Sequence, residues 1–101
     1  MYARCGKIAA QKGKRAQLAE ILTRAASLVG QLPGCRMYLV YEDLSDESAL
    51  WVTEVWDDRE AHAASLQDER VRTLIAAARP ISGEFSNSVE MKLIGGHGLQ
   101  P

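Results

Sequence analysis

Glu54 and Trp56 stand two residues apart at the end of an apolar segment, ALWVTEVW, over residues 49–56. In an extended chain that spacing puts both on one face, together with Leu50 and Val52. A carboxylate among apolar neighbours needs a partner, or its pKa rises. With a raised pKa it can serve as general base toward a phenol; the plainer role is a structural hydrogen bond or an ion pair, for example with an Arg. The Trp56 ring could be a flat wall for an aromatic molecule to stack on, or a core aromatic beneath a helix. His62, in the first turn of the helix that follows, is a second candidate base, although such positions are usually surface. Asn87 is the lone polar side chain on an otherwise apolar strand face. It could orient a substrate oxygen or hold dioxygen, or else satisfy nearby backbone or mark a bulge. Tyr38 and Tyr41 fall on opposite faces of one strand, so at most one of them meets a helix-side pocket, and Tyr41 is the substrate-binding candidate. Arg79, at the end of a helix, could hold a phenolate, or be a solvated charge at that terminus.

Other chemistries find no pattern here. There is no HxxxH, HxH or Cys/His cluster for a metal, no GxGxxG after a strand and no P-loop, so no cofactor is expected. The run Gly95-Gly96-His97-Gly98 opens no helix and makes no phosphate cradle. Cys5 and Cys35 form no CxxC and read as small, half-buried residues rather than a disulfide. Twelve Lys and Arg interleave with 13 Asp and Glu for a net charge of -1, so no basic tract suits nucleic acid or an anionic membrane. No apolar run approaches the roughly 20 residues of a membrane helix. Met1-Tyr2-Ala3-Arg4-Cys5 lacks the long apolar region of a signal peptide, and the cytoplasm is the expected location.

These residues must be placed by a small scaffold. The 101 residues, 47% of them hydrophobic, suit one domain, read as residues 1–95 with a flexible tail over 96–101. Residues 2–10 read weakly as a strand, diluted by Gly6 and alanines. A helix over about 14–30 carries a stripe from Leu18 through Val29, starts poorly capped at Lys14 and Arg15, and stops before Pro33-Gly34. Residues 35–42 form a second strand, with Cys35, Met37, Leu39 and Tyr41 expected on one face. A polar turn makes it a hairpin with residues 49–56. Asp57 and Glu60 have capping-box spacing for a short helix to about Leu66, and Asp68 could cap another over 70–78. From Ile81 to Leu93 apolar and polar residues alternate, predicting a long strand with Phe85, Val89 and Met91 buried.

The order is β-α-β-β-α-β, an α+β, ferredoxin-like split βαβ fold: a four-stranded antiparallel sheet with helices on one face. The middle strands are apolar on both sides, so the bare face needs a cover. The simplest is a second copy, giving a homodimeric α/β barrel.

Four segments now carry a resemblance: Lys12-Gly13-Lys14-Arg15, Leu32-Pro33-Gly34-Cys35, Val52-Thr53-Glu54-Val55-Trp56 and the helix from Asp58 to Leu66. In order and spacing they are similar to the antibiotic biosynthesis monooxygenase family, across nearly the whole chain. The resemblance implies a ferredoxin-like homodimer with a pocket between each sheet and its own helices. It also implies oxidation of polycyclic phenols or quinols by molecular oxygen without flavin, haem or metal. Trp56 carries over. The chain has Ser65 where many relatives have a His, and Val52 where polyketide-oxidising relatives have an Asn. The Asn, Trp and His of haem-degrading relatives have no counterpart set. Two functions are therefore expected to compete: a cofactor-free monooxygenase acting on a small aromatic substrate, and a non-catalytic dimeric barrel that binds a small apolar ligand or a protein partner.

Overall fold

The computed structural model describes residues 1–99; Gln100 and Pro101 of the expected tail lie outside the described residues. The elements follow in the expected order. They are β1 (Tyr2–Ala10), α1 (Arg15–Val29), β2 (Cys35–Glu42), β3 (Ala49–Trp56), α2 (Arg59–Ser65), α3 (Glu69–Ala78), a single 3₁₀ turn (Arg79–Ile81) and β4 (Ser82–Lys92). The strands form one antiparallel sheet in the order β2-β3-β1-β4, so the α+β ferredoxin-like architecture stands. No helix of the described residues is long and apolar enough to cross a membrane.

Local chemistry sets the element ends. Lys14 at the head of α1 makes no side-chain cap, as expected from two cations facing the positive end of the dipole. The cap of α2 is Asp58, not Asp57: the Asp58 carboxylate accepts from Ala61 N at 2.8 Å, while Asp57 is taken by an ion pair with Arg36. Asp68 caps α3 through the backbone N–H groups of Arg70 and Val71. In the LPGC turn Gly34 has φ +83 and lies against α2; a Cβ there would stand 2.6 Å from the Ala61 Cβ. Only glycine serves both demands.

Register assigns the faces. The pairs Tyr2–Trp56, Arg4–Glu54, Gly6–Val52 and Ile8–Leu50 point to the helix side of β1 and β3. On that side Ile8, Ala10, Leu18, Leu50 and Ala78 pack as one cluster and Val29, Trp56 and Val71 as another. Two readings of the strands are corrected. A bulge at Arg36 flips Cys35 away from Met37, Leu39 and Tyr41 and onto the helix side, against Trp56. In β4 the register to β1 shifts twice, between Ser82 and Phe85 and between Ser86 and Val89. The alternation from Ile81 to Leu93 is therefore not one face. Phe85 lies opposite Ile8 on the helix side, Val89 and Met91 point to the other side, and all three are exposed. Leu39 and Tyr41 join Val89 and Met91 on that open face, each between 42% and 49% exposed.

Candidate active site

A cavity of about 390 Å³ lies between the helix side of the sheet and the helices. Its walls are mainly aliphatic side chains of α1 and α3 with Ile8 and Val52 from the sheet. Its polar groups are few, and those with chemistry are Arg4, Tyr38, Glu54, His62 and, at the rim, Arg79.

Strand pairing builds the polar end. Glu54 stands between Arg4 of β1 and Tyr38 of β2 in one row across the sheet. One carboxylate oxygen, Oε1, accepts from the Trp56 indole N–H at 3.0 Å and lies 3.9 Å from His62 Nε2. The other, Oε2, is 4.0 Å from Arg4 Nε, and the side chain is only 16% exposed. Burial pushes the Glu54 carboxyl above the ordinary carboxylate range, against the pull of the Trp56 N–H and of Arg4. Burial, helped by the Arg4 charge, holds the His62 imidazole below its usual value, and Glu90 partly offsets this. Tyr38 is pushed up by burial first and by the charges of Glu54 and Cys35 next, so its hydroxyl stays protonated at neutral pH. The outcome is a carboxylate that holds a proton readily, beside an imidazole that is neutral at pH 7 and a phenol that keeps its proton to donate.

A second row fixes Arg4 and His62. Arg4 Nη1 donates to the Tyr2 hydroxyl at 2.8 Å, and that hydroxyl donates to Glu90 Oε2 at 2.7 Å. Arg59 pairs with Glu90 at 2.7 Å and lies over the Tyr2 ring. The His62 ring packs edge-on against Trp56, with centroids 5.8 Å apart, and tilted against Tyr2. The first turn of α2 thus points inward, and His62 is not the surface residue its position suggests.

The structure brings three of the six expected site residues to the cavity: Glu54, His62 and Arg79. Trp56 does not line it. The ring is fully buried beneath the helices and meets the cavity residues from behind, through its N–H on Glu54 and its edge contact with His62, so it is no wall for a ligand. Tyr41 faces the open side, where its hydroxyl bonds Thr53 Oγ1 at 2.9 Å; Tyr38 is the tyrosine of this strand that lines the cavity. Asn87 is exposed, outside the cavity lining, in the second β4 bulge with φ +51, the left-handed backbone that Asn tolerates better than most residues. Arg4, Tyr38 and Phe85 are among the lining residues that sequence reasoning does not name as site residues. Arg4 was within reach of it: alternation from Ile8 back along the first strand puts an Arg on the face that holds Glu54.

The class is thus an α+β domain whose ferredoxin-like sheet and helices enclose a mainly apolar cavity with a carboxylate and an imidazole at its polar end. The chain belongs to the antibiotic biosynthesis monooxygenase family, whose model matches residues 1–77. Among solved structures, a candidate antibiotic biosynthesis monooxygenase from Chloroflexus aurantiacus J-10-fl is 40% identical, covers 98% of both chains and superposes with a TM-score of 0.90. A second candidate of the same kind from Deinococcus radiodurans is 25% identical over 100% of both chains, with a TM-score of 0.84. SnoaB, a cofactor-independent oxygenase from Streptomyces nogalater, shares the fold at a TM-score of 0.81 and 16% identity, with 95% of each chain covered. No curated protein matches the chain.

Proposed function

We propose that this family member is a cofactor-independent monooxygenase that oxidises a small phenol or quinol with molecular oxygen, and that it acts as a homodimer. The observation that carries the reading is the buried Glu54–His62 pair at the polar end of an apolar cavity. An electron-rich phenol is its own reductant once deprotonated. The phenolate gives an electron to dioxygen, and the radical pair joins as a carbon–oxygen bond. Loss of water then leaves the quinone. Overall, one oxygen atom enters the substrate, two hydrogens leave it, and the other oxygen departs as water.

The protein's part is to take the phenolic proton, orient the ring and keep water away. Glu54 is the acceptor, because its carboxyl holds a proton more readily than an exposed one. His62, with Nε2 3.9 Å from that carboxylate, is the group to take the proton on through one bridging water. Tyr38 lines the cavity and keeps its proton at neutral pH, so its hydroxyl can donate to a substrate oxygen. Arg79 at the rim suits a phenolate or another anionic substituent. The family membership and the fold shared with SnoaB support this chemistry.

The test is oxygen uptake. Chelator-treated protein free of flavin and haem is expected to accelerate oxygen consumption by quinols or polycyclic phenols above the buffer rate; no acceleration across a broad panel overturns the oxygenase reading. The dimer rests on the open sheet face, which leaves Leu39, Tyr41, Val89 and Met91 without cover. Light scattering at micromolar concentration is expected to give twice the chain mass, and a monomer contradicts it.

A further inference from the structure

The most exposed aromatic ring in the cavity lining belongs to a residue that no site motif contains. Trp56 is fully buried, whereas Phe85 lines the cavity and is 59% exposed. That is unusual for a ring on the covered side of a sheet, and three features of the backbone produce it. Register shifts on both sides of Phe85, between Ser82 and Phe85 and between Ser86 and Val89, set it opposite Ile8 on the helix side. The ring then leans over Gly6 of β1, where a Cβ would stand 2.9 Å from its Cε1 and 3.3 Å from its Cζ. Those distances are too short for any side chain at Gly6 without moving the ring. Gly6 has no positive φ and lies in mid-strand opposite the second β4 bulge, and the missing side chain there leaves the space that the ring fills. The result is an aromatic ring laid across bare backbone, with much of its surface turned to the cavity and to solvent.

We propose that Phe85, seated on Gly6, is the stacking surface by which this cavity selects planar aromatic ligands over saturated ones of equal size. The proposal rests on the reading that the cavity is the substrate site, and it makes Phe85 a specificity-determining residue. A planar ring offset over Phe85 gains quadrupole and dispersion contact that a puckered saturated ring cannot match. The ligand's ionisable oxygen is then left for the Glu54 end.

Calorimetric titration with naphthoate and with its fully saturated counterpart, decalin carboxylate, tests this. The two share charge and carbon skeleton and differ in planarity. Wild-type protein is expected to bind naphthoate roughly threefold to tenfold more tightly. Phe85→Leu, which keeps apolar bulk, is expected to erase that preference, Gly6→Ala to erase it by displacing the ring, and Phe85→Tyr to retain it. An unchanged preference in Phe85→Leu overturns the proposal, as does equal weakening of both ligands or a wild-type protein that binds neither. If Phe85→Leu turns a wild-type dimer into a monomer, the ring belongs to a subunit contact and the proposal also falls. A preference that follows Phe85 in a protein with no oxygen uptake breaks the oxygenase reading and leaves this one standing.

Discussion

On one side of β1, β3 runs in register from Trp56 to Ala49 without a break. It ends in a ring that is fully buried and hydrogen-bonded to its own strand neighbour Glu54. On the other side, β4 loses register twice within eleven residues, and Phe85, Val89 and Met91 are each 45% exposed or more. The difference follows from position in the sheet. β3 is paired on both edges, so an extra residue would disrupt two ladders at once; β4 is an edge strand with one partner and can bulge at the expense of a single ladder. The central strand therefore holds Glu54 in an unbroken ladder, while the edge strand is free to turn an aromatic ring toward the cavity. Precision at one end of the site and a shapeable surface at the other come from where each strand sits.

Truncations should separate the two strands most widely. Trp56→Ala removes a fully buried ring and is expected to cost about 3–5 kcal/mol in denaturant unfolding. Phe85→Ala removes a ring already more than half exposed, and a cost below about 1.5 kcal/mol is expected. Equal losses would mean that β4 is packed as tightly as β3, and the contrast would be gone. A smaller effect sharpens the β3 end. The Glu54 carboxyl is raised by burial in the folded chain, so it favours folding at pH below its unfolded value, and that contribution is lost as pH climbs through the folded value. Glu54→Gln keeps an acceptor for the Trp56 N–H and removes the ionisation. The variant is expected to gain stability on wild type as pH rises from about 4 to about 8. Parallel stability–pH curves would show that Glu54 is not held in a low-dielectric site.

The sequence made the regular parts legible and hid the irregular ones, for a physical reason. Strand β3 keeps its period of two, so Glu54, Trp56 and Val52 could be put on one face from spacing alone, and the element order led directly to the sheet. The Leu18–Val29 stripe and the Asp68 cap were equally local signals. A bulge, by contrast, leaves no mark in an alternating pattern, and one extra residue reverses every side chain beyond it. That is why alternation puts Cys35 on the wrong face, gathers Phe85, Val89 and Met91 on one buried face, and adds Asn87 to them. Tyr38 and Tyr41 posed a different problem. Their opposition was readable, but which one faces the helices depends on the register of β2 against β3, and no residue type in the strand encodes that. For Arg4 the face is readable from alternation but the partner is not: Glu54 is fifty residues away in the chain and adjacent only across the ladder.

The proposed catalysis depends on one carboxylate, that of Glu54. The most direct measurement is the rate of substrate-dependent oxygen uptake by Glu54→Gln against wild type, with circular dichroism and light scattering confirming that both are equally folded and assembled. The Gln variant keeps the shape of the side chain and the bond from Trp56 but cannot take a proton. Loss of the general base is expected to slow turnover by about 100-fold or more at neutral pH. A Glu54→Gln enzyme that consumes oxygen at the wild-type rate would contradict the assignment of Glu54 as the proton acceptor and, with it, the placement of the chemistry at the polar end of the cavity.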